Sequence, residues 1–262
     1  MNFRIIITVC LLIISANATG QSDPIINQTD KQGKKQGQWI KKYPNNNIMY
    51  EGFFKDDHPV GELKRYNENK SLKSVLIYST DGRNAAASIY HPNGRIAAKG
   101  NYIDQKKDGK WQFFSDVFDK YLISEEIYSA NKRNGLSVKY YPDSRIAESL
   151  IYVNDLKHGE WTQYYPSGTL KLRSNYTKGQ LSGKFEAWYE DGKPEFSGRY
   201  KDDLREGHWL IYNKDGSVKY ELTYQAGITN DRQLDIDESA RLDSLENNRG
   251  KIADPEKTGI IR

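Results

Sequence analysis

The chain has one cysteine, Cys10, in 262 residues. Cys10 lies inside an N-terminal apolar run that is expected to be removed. That leaves the mature protein neither a disulfide framework nor thiol chemistry. Long hydrophobic runs are also missing. The longest, Ile5 to Ile14, is about ten residues, roughly half of what a membrane-spanning helix needs. Charge of one sign is not concentrated anywhere: 39 Lys and Arg stand against 35 Asp and Glu, a net +4 with no long basic run. Nucleic acid is therefore not expected as a partner, since non-specific binding needs clustered phosphate contacts. What is abundant is tyrosine, with nineteen copies. Its apolar ring and wettable hydroxyl suit a thin sheet with one face near water better than a thick aliphatic core.

The N-terminus reads as a targeting segment. Arg4 supplies a short positive start, Ile5 to Ile14 the apolar stretch, and Ala16-Asn17-Ala18 a small-x-small cleavage pattern. A signal peptide over residues 1–18 is expected, with export to the periplasm, the cell envelope or the outside. Residues 19–36 are polar, and a flexible lead-in is expected there.

From Gly37 onward the chain repeats. Units start at Gly37, Gly61, Ala85, Gly109, Gly135, Gly159, Gly183 and Gly207, 24 residues apart except for the 26 between Gly109 and Gly135. With each start as position 0, position 2 holds Trp39, Leu63, Trp111, Trp161, Phe185 and Trp209 in six of the eight units. Position 5 is aromatic in seven, with Tyr66, Tyr90, Phe114, Tyr140, Tyr164, Trp188 and Tyr212. Position 17 is aromatic in all eight: Phe54, Tyr78, Tyr102, Tyr128, Tyr152, Tyr176, Tyr200 and Tyr224, with Tyr128 displaced by the two-residue insertion. Such columns belong to an array in which each unit packs on its neighbours.

Each unit reads as two strands. Aromatic and β-branched residues flank breaks such as Pro166-Ser167-Gly168 and Lys214-Asp215-Gly216. Leu170, Leu172, Ser174 and Tyr176 alternate with Lys171, Arg173 and Asn175, a period of two that excludes helix. Positions 2 and 5 have opposite parity. Either a bulge intervenes or the aromatics decorate both faces. The charged linkers, such as Lys55-Asp56-Asp57, leave room only for hairpin turns. The expected fold is all-β: an elongated antiparallel β-hairpin array over residues 37–230 of about sixteen strands, extending roughly 75 Å at ~4.8 Å per strand. In residues 231–262 the acids from Asp235 onward, Arg249 and Gly250 have the order of a short helix. That helix is expected to cap the last repeat, followed by a disordered tail from Lys251.

The Gly-x-Trp-x-x-Tyr pattern, with its later glycine and a tyrosine eight residues beyond, is clearest at Gly159, Gly183 and Gly207. It resembles the MORN repeat variant family of bacteria. That resemblance covers about three-quarters of the chain. It implies a twisted sheet of stacked hairpins without enzymatic activity, and many such proteins are labelled antitoxins of the YwqK type.

Candidate chemistry is sparse. His58, His91, His158 and His208 occupy four different places in the unit, and each reads as a solvated turn or surface side chain. No spacing suggests a metal site, and no cofactor is expected. Glu125 and Glu126 are adjacent in a strand and so face opposite sides. The features suited to binding are the tryptophans Trp39, Trp111, Trp161, Trp188 and Trp209, either as a binding surface or as a structural ladder. The expected role is an exported scaffold for another protein. A glycan-binding module using exposed tryptophans and an antitoxin that binds its toxin are the alternatives, and contact with a membrane surface is left open.

Overall fold

A computed structural model describes residues 25–229 and 231–247. The signal segment with Cys10 and the tail from Lys251 lie outside the described residues. The described chain is one antiparallel meander of nineteen strands followed by one helix. Strands pair with their sequence neighbours, from Gln28–Thr29 against Lys35–Lys42 to Val218–Gln225 against Ile228–Thr229, except that Gln180–Leu181 and Gly183–Trp188 both pair with Leu170–Thr177. Sixteen strands are six residues or longer, two per unit; Gln28–Thr29, Gln180–Leu181 and Ile228–Thr229 have two residues each.

The alternation assigns the faces. On one face, here the core face, lie positions 2, 4, 15 and 17, as in Trp161, Gln163, Ser174 and Tyr176, all buried. Positions 1, 3, 5 and 14 point outward: Glu125 accepts hydrogen bonds from Lys110, Gln112 and Tyr140. The opposite parity of positions 2 and 5 is therefore real, and the aromatics occupy both faces.

Two bulges recur in the units, and both bend the sheet. Beside the hairpin turn, Gln163 faces Leu172 while Tyr164 faces Leu170, which leaves Lys171 over. Lys171 is consequently not on the outer face with Arg173. It is half-buried, with its ammonium 5.6 Å from the centre of the Tyr165 ring, and burial lowers its pKa. At the linker side, Leu150 faces Trp161 but Ile151 faces His158, so Gly159 and Glu160 drop out of that ladder. The φ of +72° at Gly159 explains why glycine opens the unit: this backbone region disfavours a side chain. The third unit tests that explanation, because it starts with Ala85. Its ladder runs unbroken from Ser74–Ile89 to Tyr78–Ala85. The two surplus residues go into a longer linker, Ser79–Arg83, where Gly82 carries the positive φ of 71°.

The core is a ladder of rings on one face. Trp111 and Trp209 are completely buried and Trp161 is 1 % exposed. Trp209 packs edge-on against Tyr200 and Tyr224, and Trp111 against Tyr102. Trp111 and Trp209 lie directly on glycine at position 15 of the preceding unit. A Cβ on Gly100 or Gly198 would come within 2.3 Å or 2.2 Å of the Trp111 or Trp209 ring.

The helix α1 (Arg232–Asn247) begins three residues before the expected acids, because Asp231 caps it by accepting from the Gln233 and Leu234 amides. Its place also differs from the expectation of an edge cap: Leu242 and Leu245 join the core cluster that contains Leu172, Phe196 and Leu222. It lies on the core face of the last units.

Candidate functional site

The core face carries two further columns whose role becomes visible only in three dimensions. Two residues before each unit start stand Lys35, Pro59, Arg83, Lys107, Arg133, Lys157, Leu181 and Arg205. Five of these cations lie over aromatic rings. Lys35 is 4.9 Å from the centre of Trp39, Lys107 4.7 Å from Trp111, Arg133 4.0 Å from Tyr152, Lys157 4.8 Å from Tyr176 and Arg205 5.6 Å from Tyr224. The ring quadrupole attracts them, and their stems cover the apolar column. Lys35, Arg133 and Lys157 remain half-exposed, whereas Lys107 is buried. Arg83 is the exception. The missing bulge at Ala85 turns it outward to Asp104, with bonds of 2.9 Å and 2.8 Å.

The second column is position 6. The hydroxyls of Tyr43, Tyr141, Tyr165 and Tyr189 each donate to the carbonyl of position 5 in the next unit, at 2.9, 2.6, 2.9 and 3.0 Å. His91 takes the same place. It is 3 % exposed and its Nε2 donates to the Phe114 carbonyl at 2.9 Å, so it is a buried structural histidine and not a solvated one. His58, His158 and His208 are exposed as expected. In the unit with the insertion Ser115 stands at position 6, and the Tyr121 hydroxyl donates to the Tyr140 carbonyl instead.

Helix α1 shows what this face does with a polypeptide segment. The Asp235 carboxylate accepts from the Arg205 guanidinium at 2.9 Å and from the Tyr224 hydroxyl at 2.6 Å. Further along, Arg241 donates to the buried Glu195 and stacks 5.4 Å from the Tyr189 ring. An acid is thus held by the cation-and-tyrosine pair that recurs, with variation, along the array.

Burial, and then the Asp235 hydrogen bond, push the Tyr224 phenol up to about 12. Burial, and then Glu51, do the same for Tyr66, also to about 12. Both raised values favour the neutral form in the folded chain. The stability they contribute is complete below pH ~10, the unfolded value, and is lost as pH rises through about 12. Alkaline titration should therefore show a late phenolate absorbance step that Tyr66→Phe and Tyr224→Phe each reduce. An unchanged step in both variants would contradict this.

The tryptophans are distributed as follows. Trp111, Trp161 and Trp209 are buried in the ladder. Trp39 is half-buried at the first unit and its indole donates to the Gln28 and Gln36 carbonyls. Trp188 sits outward at position 5, with its carbonyl accepting from Tyr165 and Arg173 5.8 Å from its ring. They form no continuous solvent-facing row. Among the described residues, no three His, Cys, Asp or Glu side chains stand together as a metal site would require.

The family model described as MORN repeat variant matches residues 35–56, 157–178, 181–202 and 205–226. Four of the eight units are MORN repeat variants. Each matched MORN segment opens on the residue two places before the unit glycine, at Lys35, Lys157, Leu181 and Arg205. The unmatched units between them form the same hairpins. No curated protein matches the MORN chain in sequence. Solved structures are only distantly similar. A mutant of S. aureus TarM in complex with Fondaparinux, alpha-GlcNAc-glycerol and UDP is 11% identical over 37% of this chain and 19% of that chain, TM-score 0.29. TcdB2-TccC3-Cdc42 is 11% identical over 76% of this chain and 12% of that chain, TM-score 0.20. The Tc holotoxin pore of Photorhabdus luminescens is 12% identical over 71% and 11%, TM-score 0.20. The MORN chain spans less than a fifth of each of those chains, and no argument follows from likenesses this slight.

Proposed function

We propose that this MORN repeat protein is an exported, non-enzymatic scaffold that docks another protein along the core face of its sheet. The family match supports a repeat protein that binds other molecules. The observation that carries the finer reading is α1. Five carboxylates and two arginines make it an acidic helix, and it is seated on that face through the Asp235–Arg205–Tyr224 contact. Half-exposed Lys35, Arg133 and Lys157 offer related contacts along the same face. An acidic, amphipathic segment of a partner is the complementary shape and charge.

Charge reversal tests it. The full chain with Arg133→Glu and Lys157→Glu should lose its partner in a capture from the envelope fraction. The outer-face variant Phe53→Ser with Ile77→Ser should keep it. The opposite pattern would place the interaction on the outer face. Export rests on Arg4, the Ile5 to Ile14 run and Ala16-Asn17-Ala18. N-terminal sequencing of envelope material should begin at Thr19, and a cytoplasmic chain that keeps Met1 would refute it.

A further inference from the structure

The ring ladder is interrupted at three units, where position 2 is Leu63, Ala87 or Ser137, and the smallest of these side chains is the alanine of the third unit. Position 2 of the third unit is Ala87, where Trp111, Trp161 and Trp209 fill the same place elsewhere. The space left is a cleft of about 280 Å³, floored by Leu76, Ala87 and Ile89 and walled by the rings of Tyr78 and Tyr102. Those walls are the tyrosines between which the missing indole would lie, as Trp209 lies between Tyr200 and Tyr224. The floor is compatible with a ring, since Ala87 faces Leu76 just as Trp161 faces Leu150. Both walls are half-exposed, whereas the equivalent Tyr200 and Tyr224 are buried.

The charge around this slot is also distinctive. Arg83, which would cover it by the pattern of Lys107 and Arg205, is turned outward onto Asp104. Arg65 and Lys73 line it instead, and no carboxylate does. A partner that fills the slot must bring a flat apolar ring and negative charge next to it.

We infer that the slot at Ala87 is the anchor point for a docked partner: it takes an aromatic side chain, with tryptophan the best fit, from a segment where that residue is flanked by acids. The cleft lies just under the ~300 Å³ at which sites for whole small molecules begin, which suits one side chain. The same face holds a helix of this chain further along. The inference rests on the core-face reading proposed above and names where on that face the partner is anchored.

The test uses the full chain and a dye-labelled peptide, acetyl-Glu-Asp-Trp-Glu-Asp-amide, followed by fluorescence anisotropy. Binding is expected, and replacing its tryptophan by alanine should weaken it at least about tenfold, as truncating a hot-spot side chain does. Ala87→Trp, which supplies the indole that this unit lacks, should abolish binding while leaving the far-UV circular dichroism unchanged. Ala87→Leu, a smaller filling, should weaken it if the larger variant fails to fold. Arg65→Gln with Lys73→Gln should weaken binding and flatten its salt dependence. Equal binding by the wild type and a folded Ala87→Trp variant, or equal binding of both peptides, would overturn the inference. Free indole-3-propionate binding as tightly as the peptide would also overturn it, by assigning the slot to small aromatic acids. Failure here with success of the Arg133 and Lys157 test would remove the slot and leave the core-face reading standing.

Discussion

Trp209→Ala is expected to lower stability by about 3–5 kcal/mol, the range for deleting a large buried ring. Trp209 is completely buried, packs on Phe185, Tyr200 and Tyr224, and its indole donates to the Arg199 carbonyl at 3.2 Å. Its loss empties the ladder and leaves that carbonyl without its side-chain donor. A shift of the denaturant midpoint of this size should exceed that of Trp188→Ala, whose ring lies on the outer face. Equal shifts in the two variants would show that the faces are misassigned.

The next largest effect is expected from the opposite change. Gly198→Val should cost about 1–3 kcal/mol or more through overpacking, because even a Cβ there would lie 2.2 Å from the Trp209 ring. The two sites are in contact, so their effects should not add. In a Trp209→Ala background the valine enters vacated space, and its cost should fall sharply. A cost that stays the same would mean that Gly198 is required for its backbone and not for the ring above it.

Much of this was legible in the sequence because a solenoid repeats its evidence. Eight copies of one spacing determine two strands per unit, the position of the turns and the parity of the Tyr176 column. The rest was hidden by register. Lys171 appeared to share a face with Arg173, but the bulge opposite Tyr164 turns it inward. The hydroxyl ladder links Tyr165 to Trp188 across units, and in a single copy Tyr165 merely looks like a second aromatic beside the turn. His91 was misplaced for that reason: its role is inherited from the tyrosines at position 6. The cation column was readable in principle, since Lys157 and Arg205 precede matched glycines by a constant two residues. What those cations do depends on rings in neighbouring strands. The helix could be expected from its charge order, but its seat could not, because Asp235 meets Arg205 only after the sheet has formed.

The most direct test of the docking reading is photo-cross-linking in living cells that express the full chain. A photoreactive phenylalanine analogue is placed singly at Lys35 or Lys157 on the core face, and at Phe53 or Ile77 on the outer face. The account predicts a partner adduct from Lys35 and Lys157 and none from Phe53 or Ile77. Adducts from the outer-face positions alone would contradict it.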